Sequence, residues 1–169
     1  MKGGRFEIAL QRLPEAQSYG AESVELLVAG HPGAEPRPLA RVASGGELSR
    51  IALAVAAATA ARQPVETLIF DEVDAGIGGA VAQTVGRLLA RLGAGGQVLA
   101  VTHLAQVAAH AGRHLRVRKS SGADATHSRV DDLDPDARVI EVARMLGGDA
   151  DSAAARSHAQ ELLGAAGRT

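Results

Sequence analysis

The run VASGGELSRIALAVAAATAARQPVETLIFDEVDAGIGG, residues 42–79, opens a helix on two glycines and then drives a short apolar strand straight into acidic residues. From residue 47 to about residue 62, Leu48, Ile51, Ala52 and Val55 follow the i, i+3, i+4, i+7 spacing of one helix face. Alanines fill the rest and raise helix propensity. Ser44 and Glu47 have the S-x-x-E spacing of a capping box. Gly45 and Gly46 work against such a helix start, since each glycine costs roughly 1 kcal/mol relative to alanine inside a helix. Bare backbone N–H groups at the positive end of a helix, with the Ser44 hydroxyl beside them, suit an anion such as phosphate. On spacing alone the capping box and the anion site both stand.

Residues 67–70 (TLIF) read as a buried strand ending at Asp71 and Glu72. Most charged residues are solvated loop residues. Asp71, however, ends an apolar run, where its carboxylate would meet a Mg²⁺ ion. Glu72 could orient and polarise an attacking water, the general-base part of phosphoryl transfer. Asp74, Ala75 and Gly76 read as a turn at the same rim. A second helix is expected over residues 80–92, ended by GAGG, and a second short strand over residues 98–101. Thr102 and His103 follow that strand. A histidine there is commonly a surface or packed residue, but a parallel sheet sets His103 beside Asp71, within reach of a γ-phosphate.

Outward from this centre, residues 5–10 and 22–29 read as strands separated by the turn-like QRLPEAQSYG. Residues 30–39 hold three prolines and two glycines and read as a loop. Residues 104–111 read as helical, 114–119 and 126–130 alternate as strands, and 141–146 form the core of a last helix stopped by Gly147 and Gly148. The tail from residue 149 is alanine-rich. Short apolar strands alternating with helices imply an α/β fold with a mostly parallel, buried sheet flanked by helices.

At 169 residues, 46% apolar and net charge −1, the chain has the size and balance of one globular domain. It contains no cysteine, which excludes disulfides and thiolate metal sites. Neither a signal-peptide pattern nor an apolar run of about 18 residues is present, and the chain reads as cytoplasmic. The near-neutral charge argues against a generally nucleic-acid-coated surface.

An anion-binding helix start, a strand followed by Asp-Glu and a strand followed by His, in that order, resemble the carboxyl-terminal lobe of an ABC-type ATPase head, a P-loop NTPase-like fold. Within that superfamily the chain is most similar to the RecN family of SMC-like proteins of bacterial DNA double-strand-break repair. The likeness rests on LARVASGGELSRIALA, LIFDEVDAGIGG, VLAVTHLAQVAAHAGRHLRVRK and VIEVARMLGG, spread over residues 39–148, about two thirds of the chain. Residues 5–29 resemble the strand pair that precedes the signature there. In that family SGGE is the signature motif, LIFDE is Walker B, DAGIGG takes the D-loop position and His103 is the switch histidine. Val73 stands where transporter subunits more often have proline, and Ala105 where the family usually has proline.

The resemblance implies ATP and Mg²⁺ as cofactors, and ATP hydrolysis between two heads in a homodimer. Asp71 would hold the metal through water, while Glu72 and His103 would be catalytic. Ser44, Gly45, Gly46, Glu47, Arg50 and Asp74 would contact nucleotide, the signature residues reaching the one held by the opposite head. DNA would be engaged through the complete protein, in the bacterial cytoplasm and at the nucleoid, with no membrane partner. The Walker A loop G-x-x-x-x-G-K-[ST] needs a lysine, and neither Lys2 nor Lys119 lies in that context. In the RecN family that loop belongs to an amino-terminal lobe joined through a long coiled coil, so the chain reads as one lobe. Its parts would be a leading strand pair and loop (1–40), a motif core (41–148) and a tail (149–169). The competing expectations are a non-catalytic module that docks on a complete head, and a transporter-type nucleotide-binding half.

Three features stand outside these motifs. His110 and His114 are spaced like metal ligands, but Gly112 interrupts the helix and no carboxylate lies at a matching interval. Arg113, Arg116, Arg118 and Lys119 read as a charged strand edge, or as a stripe facing DNA. Residues 131–136 read as a solvated acidic turn.

Overall fold

The structure is a computed structural model that describes residues 3–42, 45–59, 66–121, 126–149 and 152–167. The chain divides into two compact units, Met1–Leu48 and Ser49–Thr169. That division falls inside the second helix.

The first unit is built on the hairpin of β1 (Arg5–Gln17) and β2 (Gly20–Ala29), antiparallel in register from Arg5 opposite Ala29 to Arg12 opposite Glu22. Strand β1 runs on to Gln17, through the segment expected to turn, because an irregularity between Arg12 and Gln17 accommodates Pro14 outside the regular ladder. The reversal comes later, with Gln17 paired to Gly20 at φ 130. Inside the expected loop, β3 (Arg37–Pro38) pairs with Leu27 and Val28, and α1 (Leu39–Val42) follows. Strand alternation sets Phe6, Ile8 and Leu10 on one face with their cross-strand partners Val28, Leu26 and Val24. Phe6, Ile8, Leu10 and Val24 are each more than half exposed.

Helix α2 (Gly45–Thr59) carries the chain into the second unit, where Leu53 is fully buried. There β4 (Thr67–Phe70), α3 (Gly79–Gly93) and β5 (Gln97–Ala100) form a β-α-β unit, the two strands parallel with Thr67 opposite Gln97 and Phe70 opposite Ala100. Leu53, Phe70, Val73, Ala82, Val85, Leu89, Leu92 and Val107 form its core, with Leu68 and Val98 packed against them. Burying a side chain the size of Leu53 or Phe70 contributes about 1.5–3 kcal/mol. The opposite face of the pair is open, with Ile69 71% and Val101 64% exposed.

Beyond the short α4 (Ala105–Ala108), β6 (Leu115–Ser121) and β7 (Thr126–Asp132) pair antiparallel. Helices α5 (Pro135–Met145) and α6 (Ala153–Ala166) enclose a small second core around Val142, Ala143 and Ala159. The expectation of a mostly parallel sheet is narrowed accordingly. Among the described residues the parallel pairing is β4 with β5, and the other two sheets are antiparallel. Apolar runs announce strands but do not specify which strands pair.

The acidic turn is not merely solvated. Asp131 accepts from Arg118 Nε at 2.6 Å and pairs with Arg129, while Asp132 takes Arg113. Asp134 caps α5, its Oδ1 accepting the Ala137 N–H at 2.8 Å, with Pro135 beginning the helix. Arg138 Nη2 donates to the carbonyls of Ala108, Ala109 and Ala111, closing the end of α4. His110 and His114 have different neighbours, the first lying on Gly86 and the second near Arg138, Glu141 and Arg116. No group of three or more metal-ligating side chains occurs among the described residues.

Gly86 is the close-approach point of α3 and α4. A Cβ there would lie 2.5 Å from His110 Cδ2 and 3.1 Å from the Gln106 carbonyl oxygen. Alanine would otherwise strengthen the helix by about 1 kcal/mol, so the overlap decides the sign. Gly86→Ala is expected to destabilise the protein by about 1–3 kcal/mol, read as a lower urea midpoint with unchanged slope. An unchanged or raised midpoint would show that α4 yields freely.

Glu141 is 4% exposed. Burial raises its carboxyl, but Arg144, donating at 2.6 Å, and Arg116 outweigh it and hold the group below its ordinary value. The unfolded chain therefore takes up this proton first as pH falls. The pair's contribution is complete above the ordinary carboxylate range and is lost as pH drops through the lower folded value. Glu141→Gln should lower stability at pH 7 and flatten its decline between about pH 5 and pH 2. Denaturation at a series of pH values checks this, and parallel curves for both proteins would refute it.

Candidate active site

Strand β4 ends at Phe70, whose side chain is buried in the core, and the next residues leave the sheet. Asp71 and Glu72 are exposed at that carboxyl end, Val73 and Asp74 buried behind them. Glu72 has φ 54, the one positive value among described non-glycine residues. Such a backbone is uncommon for a side chain of this size and collects at functional sites. Two hydrogen bonds hold it, Glu72 N–H donating to Asp71 Oδ1 at 2.9 Å and Ala75 N–H to the Glu72 carbonyl at 3.0 Å.

The parallel register continues past the strands, with the Val101 N–H donating to the Phe70 carbonyl at 3.0 Å. Thr102 and His103 are thereby set beside the turn after β4. The connection is made by Asp74, 3% exposed. Its Oδ2 accepts from Thr102 Oγ1 at 2.5 Å and from the His103 N–H at 2.9 Å, and lies 3.1 Å from His103 Nδ1. Burial raises the Asp74 carboxyl, but the Thr102 hydroxyl, the His103 N–H and the imidazole outweigh it and keep the group below the usual carboxylate range. The His103 side chain itself is 72% exposed.

Helix α2 is stapled to the same rim. Ser49 Oγ donates to the Asp71 carbonyl at 2.9 Å, and Arg50 Nη1 donates to the Ala75 carbonyl at 2.7 Å. Arg50, expected at a nucleotide, thus spends one donor on the turn that follows Glu72. Gly45 and Gly46 form the start of α2, Gly46 buried and Gly45 exposed. Ser44 lies outside the described residues, as does the side chain of Glu47, and with them the capping box. Asp74, expected among the nucleotide contacts, has its carboxylate behind the rim. The sequence assigns Ser49 and Thr102 no role; each is a hydroxyl residue next to a candidate site residue, a weak signal by itself.

The rim therefore offers two exposed carboxylates and one exposed imidazole on a braced backbone. Asp71 keeps oxygen lone pairs free beside the one that accepts from Glu72. Among the described residues no cluster of three or more metal-ligating side chains forms, and the carboxylates suit Mg²⁺, which takes one or two of them and fills its shell with waters and phosphate oxygens. No described helix is long and apolar enough to cross a membrane.

No protein-family model matches the chain. Among curated proteins it is 56% identical over 144 residues to the DNA repair protein RecN of Streptomyces coelicolor, covering 85% of this chain and 25% of that protein. It is 50% identical to RecN of Deinococcus radiodurans, covering 96% of this chain and 28% of the relative, and 47% identical to RecN of Treponema pallidum. The chain thus spans between a quarter and a third of the relatives it matches, in their carboxyl-terminal part. Among solved structures it is similar to one from work on ATP-driven dimerisation and DNA-stimulated activation of SMC ATPases, with TM-score 0.55, 22% identity, and 87% of this chain and 83% of the other covered. It also resembles an Smc head domain with coiled coil and joint from Pyrococcus yayanosii, with TM-score 0.59, 24% identity, and 78% of this chain and 24% of the other covered. At these identities the structural likeness carries the fold, that of an SMC ATPase head. The sequence likeness goes further: the chain belongs to the RecN family, matching the carboxyl-terminal part of its members.

Proposed function

We infer that this chain is the carboxyl-terminal lobe of a RecN-like ATPase head that binds and hydrolyses ATP between paired heads in DNA double-strand-break repair. The observation that supports this best is the meeting of Asp71, Glu72 and His103 at the carboxyl ends of two parallel strands, where α/β sheets bind ligands. Glu72, exposed and held at φ 54, is the group to orient a water and take its proton. His103 directs its ring at the γ-phosphate. Asp71 would hold Mg²⁺ through water, the ion supplying charge neutralisation on the phosphates. Gly45 and Gly46, opening α2 without side chains, let backbone N–H groups approach the phosphate held by the opposite head, with Ser44 and Glu47 completing the signature. Arg50 and Asp74 act from the same signature and D-loop segments.

The phosphate-cradling loop falls to an amino-terminal lobe. The open apolar face at Ile69, Leu99 and Val101 and the exposed face of the β1–β2 hairpin are the surfaces that such a lobe and its coiled coil would cover. DNA is engaged by the complete protein at the nucleoid.

Steady-state Mg-ATP hydrolysis tests the reading, measured for the chain alone and mixed with a separately expressed lobe carrying G-x-x-x-x-G-K-[ST]. Turnover is expected in the mixture only. Glu72→Gln should lower kcat about 100-fold or more while retaining ATP and enriching the paired species in size-exclusion chromatography. Faster turnover in that variant would sink the assignment of Glu72. Activity in neither sample would favour a module that docks without catalysis.

A further inference from the structure

Asp74 is the one buried carboxylate that spans the two loops of the rim, and its geometry differs from that of a ligand contact. A single oxygen, Oδ2, collects the Thr102 hydroxyl at 2.5 Å, the His103 N–H at 2.9 Å and His103 Nδ1 at 3.1 Å. An ionised carboxylate only accepts hydrogen bonds, so a proton on Nδ1 is the arrangement that suits this 3.1 Å approach of the ring to Oδ2. That fixes the other nitrogen. Nε2 becomes the lone-pair side of the neutral ring, or the outward N–H of the charged ring.

The Thr102 hydroxyl, donating its hydrogen bond to Asp74, accepts the Leu104 N–H at 3.1 Å, just before α4 begins. The Val107 and Ala108 N–H groups in turn donate to the Leu104 carbonyl. The backbone that carries His103 is thus tied on both sides, to the turn after β4 and to the start of α4. Removing the carboxylate would free the ring to rotate and to change tautomer, and would leave the Thr102 hydroxyl and His103 N–H without their acceptor.

We propose that Asp74 is a positioning residue, which locks His103 with its Nδ1 proton turned inward and its Nε2 turned outward at the rim. This rests on the reading of the rim as an ATPase site, because it is there that a fixed Nε2 has a phosphate to meet. Asp74 acts through His103 and does not touch the nucleotide. Metal-ligating histidines are oriented by the same device, the second nitrogen being tied to a carboxylate.

Two measurements test it. The first is ¹⁵N NMR of the imidazoles in the 169-residue chain at about pH 8.5, where an ordinary histidine is neutral, with His103 assigned through His103→Gln. Wild type is expected to show the Nδ1-protonated tautomer at His103, and Asp74→Ala to lose it. Asp74→Asn, which preserves volume should the alanine variant fail to fold, is expected to lower the Nδ1-protonated fraction. The second measurement is ATP turnover of the assembled head. Both variants should lower kcat about tenfold or more and leave KM for ATP within about twofold, since the interaction lost is one with His103.

An Nε2-protonated His103 in wild type overturns the proposal, as does a tautomer indifferent to both substitutions. A raised KM at unchanged kcat overturns it too, and makes Asp74 a nucleotide contact. If the wild-type assembly hydrolyses no ATP, the ATPase reading fails, and the NMR measurement alone then decides whether Asp74 locks the ring.

Discussion

The parallel ladder between Thr67 to Phe70 and Gln97 to Ala100 is the constraint on which the rest depends. A parallel pair cannot be closed by a tight turn, so the chain must cross over through α3, and that helix buries one face of both strands. Both strands then end at the same rim. Acids after the first strand and a histidine after the second, about thirty residues apart in sequence, become neighbours for that reason alone. A one-residue slip of β5 would exchange its inward and outward faces, turning Leu99 into the core and Val98 out of it, and would carry Thr102 and His103 out of register with Asp74.

Much of this was legible because the signals are local. The helix face of Leu48, Ile51, Ala52 and Val55, the apolar run TLIF and the order of glycine start, Asp-Glu and His are all written along the chain. What the sequence leaves out is three-dimensional. Asp74 looks like one more acid in an acidic turn, and its burial is matched by what Thr102 and His103, 28 and 29 residues later, bring to its oxygen: two hydrogen bonds and the imidazole Nδ1. The same holds for Asp131, which reads as a solvated acid and instead collects arginines from both strands of the β6–β7 ribbon. Pro14 is the opposite case: a strong turn signal was overridden, since an irregularity in an exposed strand accommodates a missing N–H at little cost.

The backbone at Glu72 and the glycines that open α2 are departures from local preference of different kinds. Gly45 and Gly46 cost helix stability whether or not anything binds them. Glu72, by contrast, occupies a left-handed conformation that glycine would adopt more easily. Retaining a carboxylate there, at a cost of order 1–3 kcal/mol, makes sense where the carboxylate itself is needed. The surrounding bonds, from the Asp71 side chain, the Ala75 N–H, Ser49 and Arg50, are what hold such a backbone in place.

Those bonds also couple the parts of the rim mechanically. Arg50 grips the Ala75 carbonyl, Ser49 grips the Asp71 carbonyl, and Asp74, one residue before Ala75, grips the segment bearing His103. A shift of the α2 turn that carries Ser49 and Arg50 is therefore transmitted to the Glu72 backbone and, through Asp74, to the imidazole. Exposed side chains that merely happened to be adjacent would respond independently. Here the Ser49–Arg50 turn, the acidic turn and the histidine loop, all within the second unit, share a continuous set of hydrogen bonds.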